Sequence, residues 1–513
     1  MKSRGSRVSS SGSTPIGYAK VIEDYRLGVI PPHQLSSWAQ VSGKRVHLSE
    51  GREIAVYPSA YDPGPSLFSH LEFALKHEGV SLEVLAALFR ATEGTSFVND
   101  LCRHIQERPT GQYTRRLWFL YEFLMGRQLP LEDATQGNYI ELLDPERYYT
   151  ATPERSRRHR VLDNLLGNVD FCPMVRRTPT LLAFEAKRLA EEAKQIVASY
   201  DEDALRRAVS YLYTKETRSS FDIEREKPSV ERAARFVSLL GELPDRTSLD
   251  KAALLQMQNV IVEPRFGEHD YREEQNYVGE SVGMRQRIHF VPPRPEDVPR
   301  LMSGLLSCLE RMTASQVEPI VHAAAISFGF VFIHPFEDGN GRLHRMLIHY
   351  ILSRAGFTPK GLIFPISAVM LQKRGEYDAC LESFSKPLMT RLKYETNEAW
   401  SLSVKEETGG FYRYIDFTRM AEDLYRWTEE TIRTEFREEL DFVVRYREAR
   451  EKMENVVEMS DTMRNRFVQF CLQNGGRLSP TKRDKYFSTL TEDELQALEQ
   501  LVQEYLLPFG GPR

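Results

Sequence analysis

The sequence predicts a mainly α-helical protein: a helical core with one small β-hairpin, flanked by further helical regions. Three observations predict it. Apolar residues recur at helical spacing through most of the 513 residues. Prolines and glycines fall mostly at the ends of these runs. One stretch, 267–293, breaks the period, with short β-prone segments on either side of a Gly-rich middle. Composition agrees: 41% apolar and 27% charged is ordinary for a globular chain. The length has room for about three domains.

The elements follow in order. Residues 1–15, MKSRGSRVSSSGSTP, lack the apolar stretch of a secretory signal and read as a disordered arm. Residues 16–178 read as mostly helical, on VSLEVLAALFRAT and TRRLWFLYEFLMG; ERSRRHR at 154–160 reads as a solvated basic face. Residues 180–215 look helical throughout, with Asp201 as a cap. Two more helices, VERAARFVSLLGELP and LDKAALLQMQNVIVEP, are ended by Pro244 and Pro264. In the hairpin, Tyr277 and Val278 face Ile288, Phe290 and Val291 across the glycines. Helices RPEDVPRLMSGLLSCLERM, SQVEPIVHAAAISFGFVFI and RLHRMLIHYILSRAG follow. From 414 onward the chain reads as one long charged helix and then a small helical module with a wing-like turn.

Charge and cysteines narrow the function. A net charge of −5 gives no pull toward nucleic acid or an anionic surface. No apolar run approaches the ~18 residues of a membrane span. The five cysteines form no CxxC pair and read as reduced, buried residues of a cytoplasmic protein.

One twelve-residue stretch stands apart: HPFEDGNGRLHR, 334–345, between two apolar runs. A Gly-rich turn entering a helix aims several backbone N–H groups at one point, and the helix dipole adds positive charge there. Gly339, Asn340 and Gly341 supply the turn. Arg342 and Arg345, three apart, project from neighbouring positions and match phosphate oxygens. Asp338 puts a carboxylate where Mg²⁺ could share it with phosphates. His334 brings the side chain that ordinarily titrates near neutral pH, suited to take a proton from a hydroxyl. Together these residues make a polyphosphate site with a base beside it.

This window resembles the Fic family signature, HxFx[D/E]GNGRxxR, at His334, Phe336, Asp338, Gly339, Asn340, Gly341, Arg342 and Arg345. QNYVGE and FVPPRPEDVPRLM are similar to the family's flap hairpin and following helix, so the resemblance spans roughly 210–390. It implies a Fic-type helical core and transfer of AMP from ATP to a Ser, Thr or Tyr hydroxyl of a target protein, with Mg²⁺. His334 would be the general base, Asp338 the metal ligand, 339–341 the phosphate cradle, Arg342 and Arg345 the partners of the outer phosphates, and Phe336 a core anchor. Tyr377 falls where relatives place a nucleotide-contacting tyrosine; Ser385 stands where many have asparagine. Val278 and Gly279 of the flap would hold the target by strand-like pairing. Self-modification and homo-oligomers are compatible with the resemblance.

A second motif, RSSFDIEREKP, places Ser220 and Glu224 at i, i+4. It resembles the family's inhibitory helix, [S/T]xxxE[G/N], with Arg225 in place of Gly or Asn. The resemblance implies that Glu224 pairs with Arg345 and excludes the γ-phosphate. The expected domains are therefore the arm at 1–15, a region at 16–178, a Fic domain at 179–400 and a helical region at 401–513. The Fic domain would include the inhibitory helix at 214–228 and the flap at 268–292. Two alternatives stay open: transfer of another nucleotide or phospho-group, or AMP removal; and a nucleotide-sensing or DNA-associated regulator.

Overall fold

The computed structural model describes residues 13–49, 51–246, 248–282, 285–396 and 402–507. The fold is mainly helical, and the chain forms two compact units. The first is built from residues up to 182, 248–348 and 378–423; the second from 183–247, 349–377 and 424 onward.

In the first unit, Thr14–Ile16 (β1), Gln34–Ala39 (β2), Arg45–Ser49 (β3) and Arg52–Pro58 (β4) form a sheet ordered β1-β2-β4-β3. The β2–β4 pair is parallel and the other two pairs are antiparallel. The expected arm therefore ends before Thr14, which pairs with Trp38; residues 1–12 lie outside the described residues. A second sheet joins Ile140–Glu141 (β5), Glu154–Ser156 (β6) and Val161–Asp163 (β7). The region 16–178 is thus mixed rather than mostly helical. Its core packs helices Leu82–Ala91 and Gln112–Met125 through Leu85, Leu88, Phe89, Leu117, Leu120 and Tyr121. The basic run is solvated only in part: Glu154, Arg155 and Arg157 are exposed. Arg158 and His159 turn inward onto Glu122, at 2.8 and 3.0 Å.

Residues 172–176 run beside 413–418: Cys172 N donates to Arg413 O (2.8 Å), Met174 N to Ile415 O (3.0 Å) and Phe417 N to Met174 O (2.8 Å). Arg176 closes the seam with an ion pair to Asp416 at 3.0 Å.

The expected hairpin is present as Val278–Val282 (β8) and Arg285–Phe290 (β9), with a bulge between Val278 and Gly279. The sequence signalled one small hairpin; the structure adds the two sheets above and a short pair, Tyr394–Thr396 (β10) with Leu402–Val404 (β11). Four helices frame the window 334–345: Lys251–Ile261 (α1), Val298–Ala314 (α2), Pro319–Ile333 (α3) and Asn340–Arg354 (α4). Helix α3 is apolar all round and buried along nearly its whole length, as a central helix must be. Pro319 opens it at N1 and Glu318 caps it, accepting from Val321 N at 2.8 Å.

In the second unit the stretch 180–215 is not one helix. Pro179–Glu185 opens it at the unit boundary; Arg188 (φ 51°) precedes Leu189–Ala198; and Glu202–Ile223 follows. Asp201 caps this last helix, accepting from Ala204 N at 2.8 Å. The long C-terminal helix is two: Thr418–Arg433 and Glu435–Glu454, parted at Thr434. Asp461–Leu472, Pro480–Tyr486 and Glu492–Tyr505 then pack a small core through Phe467, Phe487, Leu498 and Val502.

Candidate active site

Helix α3 ends at His334, which adopts a left-handed conformation (φ 52°, ψ 60°) while its N–H still bonds Phe330 O at 2.9 Å. A left-handed histidine is uncommon and marks a position held by its surroundings. Its Nδ1 lies 3.1 Å from Val331 O. A carbonyl only accepts, so Nδ1 carries the proton and the neutral ring keeps its lone pair on Nε2.

From His334 the chain turns into α4, which starts at Asn340. The turn therefore ends at Gly339; Asn340 and Gly341 are the first helical residues, a revision of the expected 339–341 turn. Gly339 (φ +89°) is needed twice over: a Cβ there would be strained and would meet Val262 Cγ1 at 3.1 Å. Asn340 locks the turn from inside the helix, accepting from Phe336 N (3.1 Å) and donating to Phe336 O (2.7 Å). Leu343 N to Gly339 O (2.9 Å) is the first helical bond. The amides of 340–342 thus occupy the first turn, where a helix offers them no internal acceptor. Phe336 is fully buried, as a core anchor should be.

Arg342 and Arg345 are each 1% exposed. Arg342 pairs with Asp338 at 2.9 Å, and Asp338 also accepts from Gly339 N at 2.6 Å. The motif's other histidine, His344, is excluded as a base: burial, with Arg345 beside it, pushes it down to about 3, and it packs edge-on to Phe328.

Four residues that the sequence did not mark hold this loop. Glu268 accepts from Glu337 N at 2.9 Å. Burial raises its carboxyl above the usual range, and the amides of Glu337 and Asp338 oppose that rise. Gln258 on α1 donates to Glu268 Oε1 (3.2 Å) and reaches Asp338 O (3.4 Å). Asn276 donates to Phe336 O at 3.1 Å. Arg272 donates through Nε to His334 O at 2.8 Å and through its backbone N–H to Pro335 O at 2.9 Å. The charged run EHDYREEQNY was the available signal, but its targets are backbone carbonyls and amides that no sequence marks.

The remaining expected residues lie elsewhere. Val278 and Gly279 are exposed at the start of β8. Tyr377 belongs to the second unit, its ring buried edge-on to Trp427 (5.8 Å). Ser220 is buried on the helix Glu202–Ile223, also in the second unit. That helix stops at Ile223, not at 228: Glu224 is its C-cap and Arg225 turns left-handed at φ 58°. Four residues before Ser220, buried Glu216 accepts from Ser367 N (3.0 Å) and pairs with His349 (2.9 Å). Among the described residues no group of three or more His, Cys, Asp or Glu is arranged to hold a metal alone, and no helix is long and apolar enough to cross a membrane.

A left-handed histidine ends a buried helix, asparagine closes the turn after it, and two buried arginines stand at the start of the next helix, all on an α-helical scaffold. Residues 248–352 match the Fic/DOC family, and HPFEDGNGRLHR lies inside that match. The chain is 32% identical over 160 residues to Protein adenylyltransferase fic-1 of Caenorhabditis elegans, covering 30% of this chain and 27% of that protein. It is 31% identical over 212 residues to Protein adenylyltransferase Fic of Drosophila virilis, covering 40% and 36%. It thus spans well under half the length of these curated relatives. Among solved structures, a Fic family protein from Desulfovibrio desulfuricans aligns at 17% identity and TM-score 0.36, covering 63% of this chain and 84% of that one. Fic-1 from Caenorhabditis elegans aligns at 15% and 0.34, covering 72% and 91%.

Proposed function

We propose that this protein is an autoinhibited protein adenylyltransferase, moving AMP from ATP to a Ser, Thr or Tyr hydroxyl of a target protein, itself included. The observation that carries the reading is the pairing of His334, with its Nδ1 proton on Val331 O, and the helix start behind it, with Arg342 and Arg345 buried in the first turns. The acceptor hydroxyl oxygen attacks the α-phosphorus while His334 Nε2 takes its proton; the bond to the bridging oxygen breaks and pyrophosphate leaves. The α4 amides hold the phosphates and the arginines the outer oxygens, so the work is positioning and charge stabilisation.

Asp338 fits Mg²⁺, which takes one or two carboxylates and completes its shell with phosphates and water. Its side chain is 48% exposed and needs only to leave Arg342. When bound, Mg²⁺ would neutralise phosphate charge. The outer edge of β8 carries no strand among the described residues, which supports pairing of an extended target segment at Val278 and Gly279.

The brake reading rests on Ser220 and Glu224 at the end of a helix anchored through Glu216. A Glu224 carboxylate on Arg345 would compete with the γ-phosphate for that charge. The test is purified protein with labelled ATP, GTP, UTP and CTP, with and without Glu224→Gly, followed by intact mass. The expected result is a gain of one AMP per acceptor, from ATP, raised by Glu224→Gly. An ion pair of this kind is worth ~1.5–3 kcal/mol, so release should give about 10- to 100-fold. No labelling by either protein with any nucleotide would overturn the transferase reading; equal labelling by both would overturn the brake. Labelling from another nucleotide, with Ser385 in place of asparagine, would redirect the reading to that nucleotide.

A further inference from the structure

We infer that Arg272 is a positioning residue that makes the flap hairpin and the histidine base one rigid unit. The inference rests on the transferase reading of the same loop. Arg272 lies in a stretch with five charged residues in eight, EHDYREEQ, yet it is 4% exposed. Its guanidinium divides its donors among three segments. Nε donates to His334 O (2.8 Å), Nη1 to Glu274 O (2.8 Å) just before β8, and Nη2 to Pro293 O just after β9. Its backbone N–H takes Pro335 O (2.9 Å). One planar fork thus joins both stems of the hairpin to the peptide that follows His334.

Each of these acceptors is a backbone carbonyl. A surface arginine would pair with a carboxylate, and four lie within six residues of Arg272: Glu268, Asp270, Glu273 and Glu274. Burying a cation costs several kcal/mol unless its donors are satisfied, and here burial pushes the guanidinium down to about 10. An arrangement that costly is not needed to tie down a loop, since Asn276 and Glu268 already do so.

What Arg272 adds is orientation. His334 has left the helix in a left-handed turn, so its carbonyl no longer points along the helix axis toward a helical donor. Pro335 has no N–H with which to hold the turn. The bonds from Arg272 to His334 O and Pro335 O fix that peptide from outside, and so fix the imidazole that the same residue carries. A target strand on β8 would then be placed, relative to the base, through the two bonds at the hairpin stems. Lysine could not do this: it is a point charge with no planar fork.

The experiment uses the full chain with Glu224→Gly, adding Arg272→Gln or Arg272→Lys. Nucleotide binding is measured by titration, transfer as kcat and acceptor KM, and backbone opening by hydrogen–deuterium exchange. Arg272→Gln should leave the ATP Kd within about twofold and lower kcat about 10²-fold, the loss typical of a misplacement of order 1 Å. Exchange should rise in 268–293 and 330–340 and not elsewhere. Arg272→Lys, which keeps charge and one donor, should fall between, about tenfold down. A merely structural role predicts instead loss of ATP binding and exchange rising across the unit. That result, or exchange in 330–340 unchanged with the kcat of the Glu224→Gly parent, would overturn the inference. If the Glu224→Gly parent transfers nothing, the transferase reading fails; exchange then decides the Arg272 tie alone.

Discussion

Arg225 occupies a position where the backbone demands glycine. The helix Glu202–Ile223 ends in a Schellman motif: Arg225 N donates to Asp222 O at 3.0 Å and Glu226 N to Phe221 O at 3.1 Å, with Arg225 at φ 58°. A left-handed non-glycine residue costs about 1–2 kcal/mol, and glycine's extra freedom in the unfolded chain takes back about 0.5–1 kcal/mol. Arg225→Gly should therefore stabilise the protein by roughly 0.5–1 kcal/mol, two- to fivefold in the folding equilibrium. Arg225→Ala is the control, because alanine loses the arginine side chain and keeps the strain. The assay is urea unfolding followed by circular dichroism, reading the midpoint at constant slope. If the glycine variant is no more stable than the alanine variant, the backbone argument is wrong. The same geometry gives a physical reason for Gly or Asn after the motif's glutamate: both accept the left-handed region most readily.

Three other outcomes are expected. His334→Ala should abolish transfer while leaving the unfolding curve nearly unchanged; general-base loss costs about 10²–10⁴-fold, and a folded variant that still labels its acceptor at the parent rate would refute the base assignment. Asp338→Ala should remove Mg²⁺-dependent turnover, whereas Glu337→Ala should not; kinetics across a Mg²⁺ titration would show the reverse if Glu337 were the ligand. Glu216 should make the second unit acid-sensitive. Burial raises its carboxyl, but His349 and Ser367 outweigh burial and hold it below the ordinary value. A depressed carboxyl stabilises the fold above the ordinary carboxylate range and loses that contribution as pH falls through its folded value. Unfolding curves between pH 3 and 7 should show this loss in the parent and not in Glu216→Gln.

The candidate window 334–345 was legible because its residues are contiguous: a histidine, a carboxylate, glycines and arginines occupy twelve positions, and α3 and α4 follow from apolar runs on either side. What holds the window was not legible. Gln258, Glu268, Arg272 and Asn276 contact it across 60 to 80 residues, and their partners are main-chain atoms. The small sheets were missed because their strands are short and carry little alternation; β2, QLSSWA, is half polar and sets its two serines side by side. The break at Thr434 was invisible because RWTEETIRTEFREEL keeps helix formers on both sides of it. The end at Ile223 was hidden because an arginine takes the conformation that sequence reading reserves for glycine.

The seam between 172–176 and 413–418 has a consequence in time. Arg176 waits 242 residues for Thr418, and at synthesis rates of 5–20 residues per second that is roughly 10–50 s. Until then the apolar residues Phe171, Cys172 and Val175, fully buried in the finished protein, lack the segment 413–418 beside them. The first unit can be completed only after most of the chain has emerged, so a nascent chain stalled before residue 413 displays an unpaired edge. Such a chain is expected to lean on chaperones and to aggregate without them, whatever its final stability.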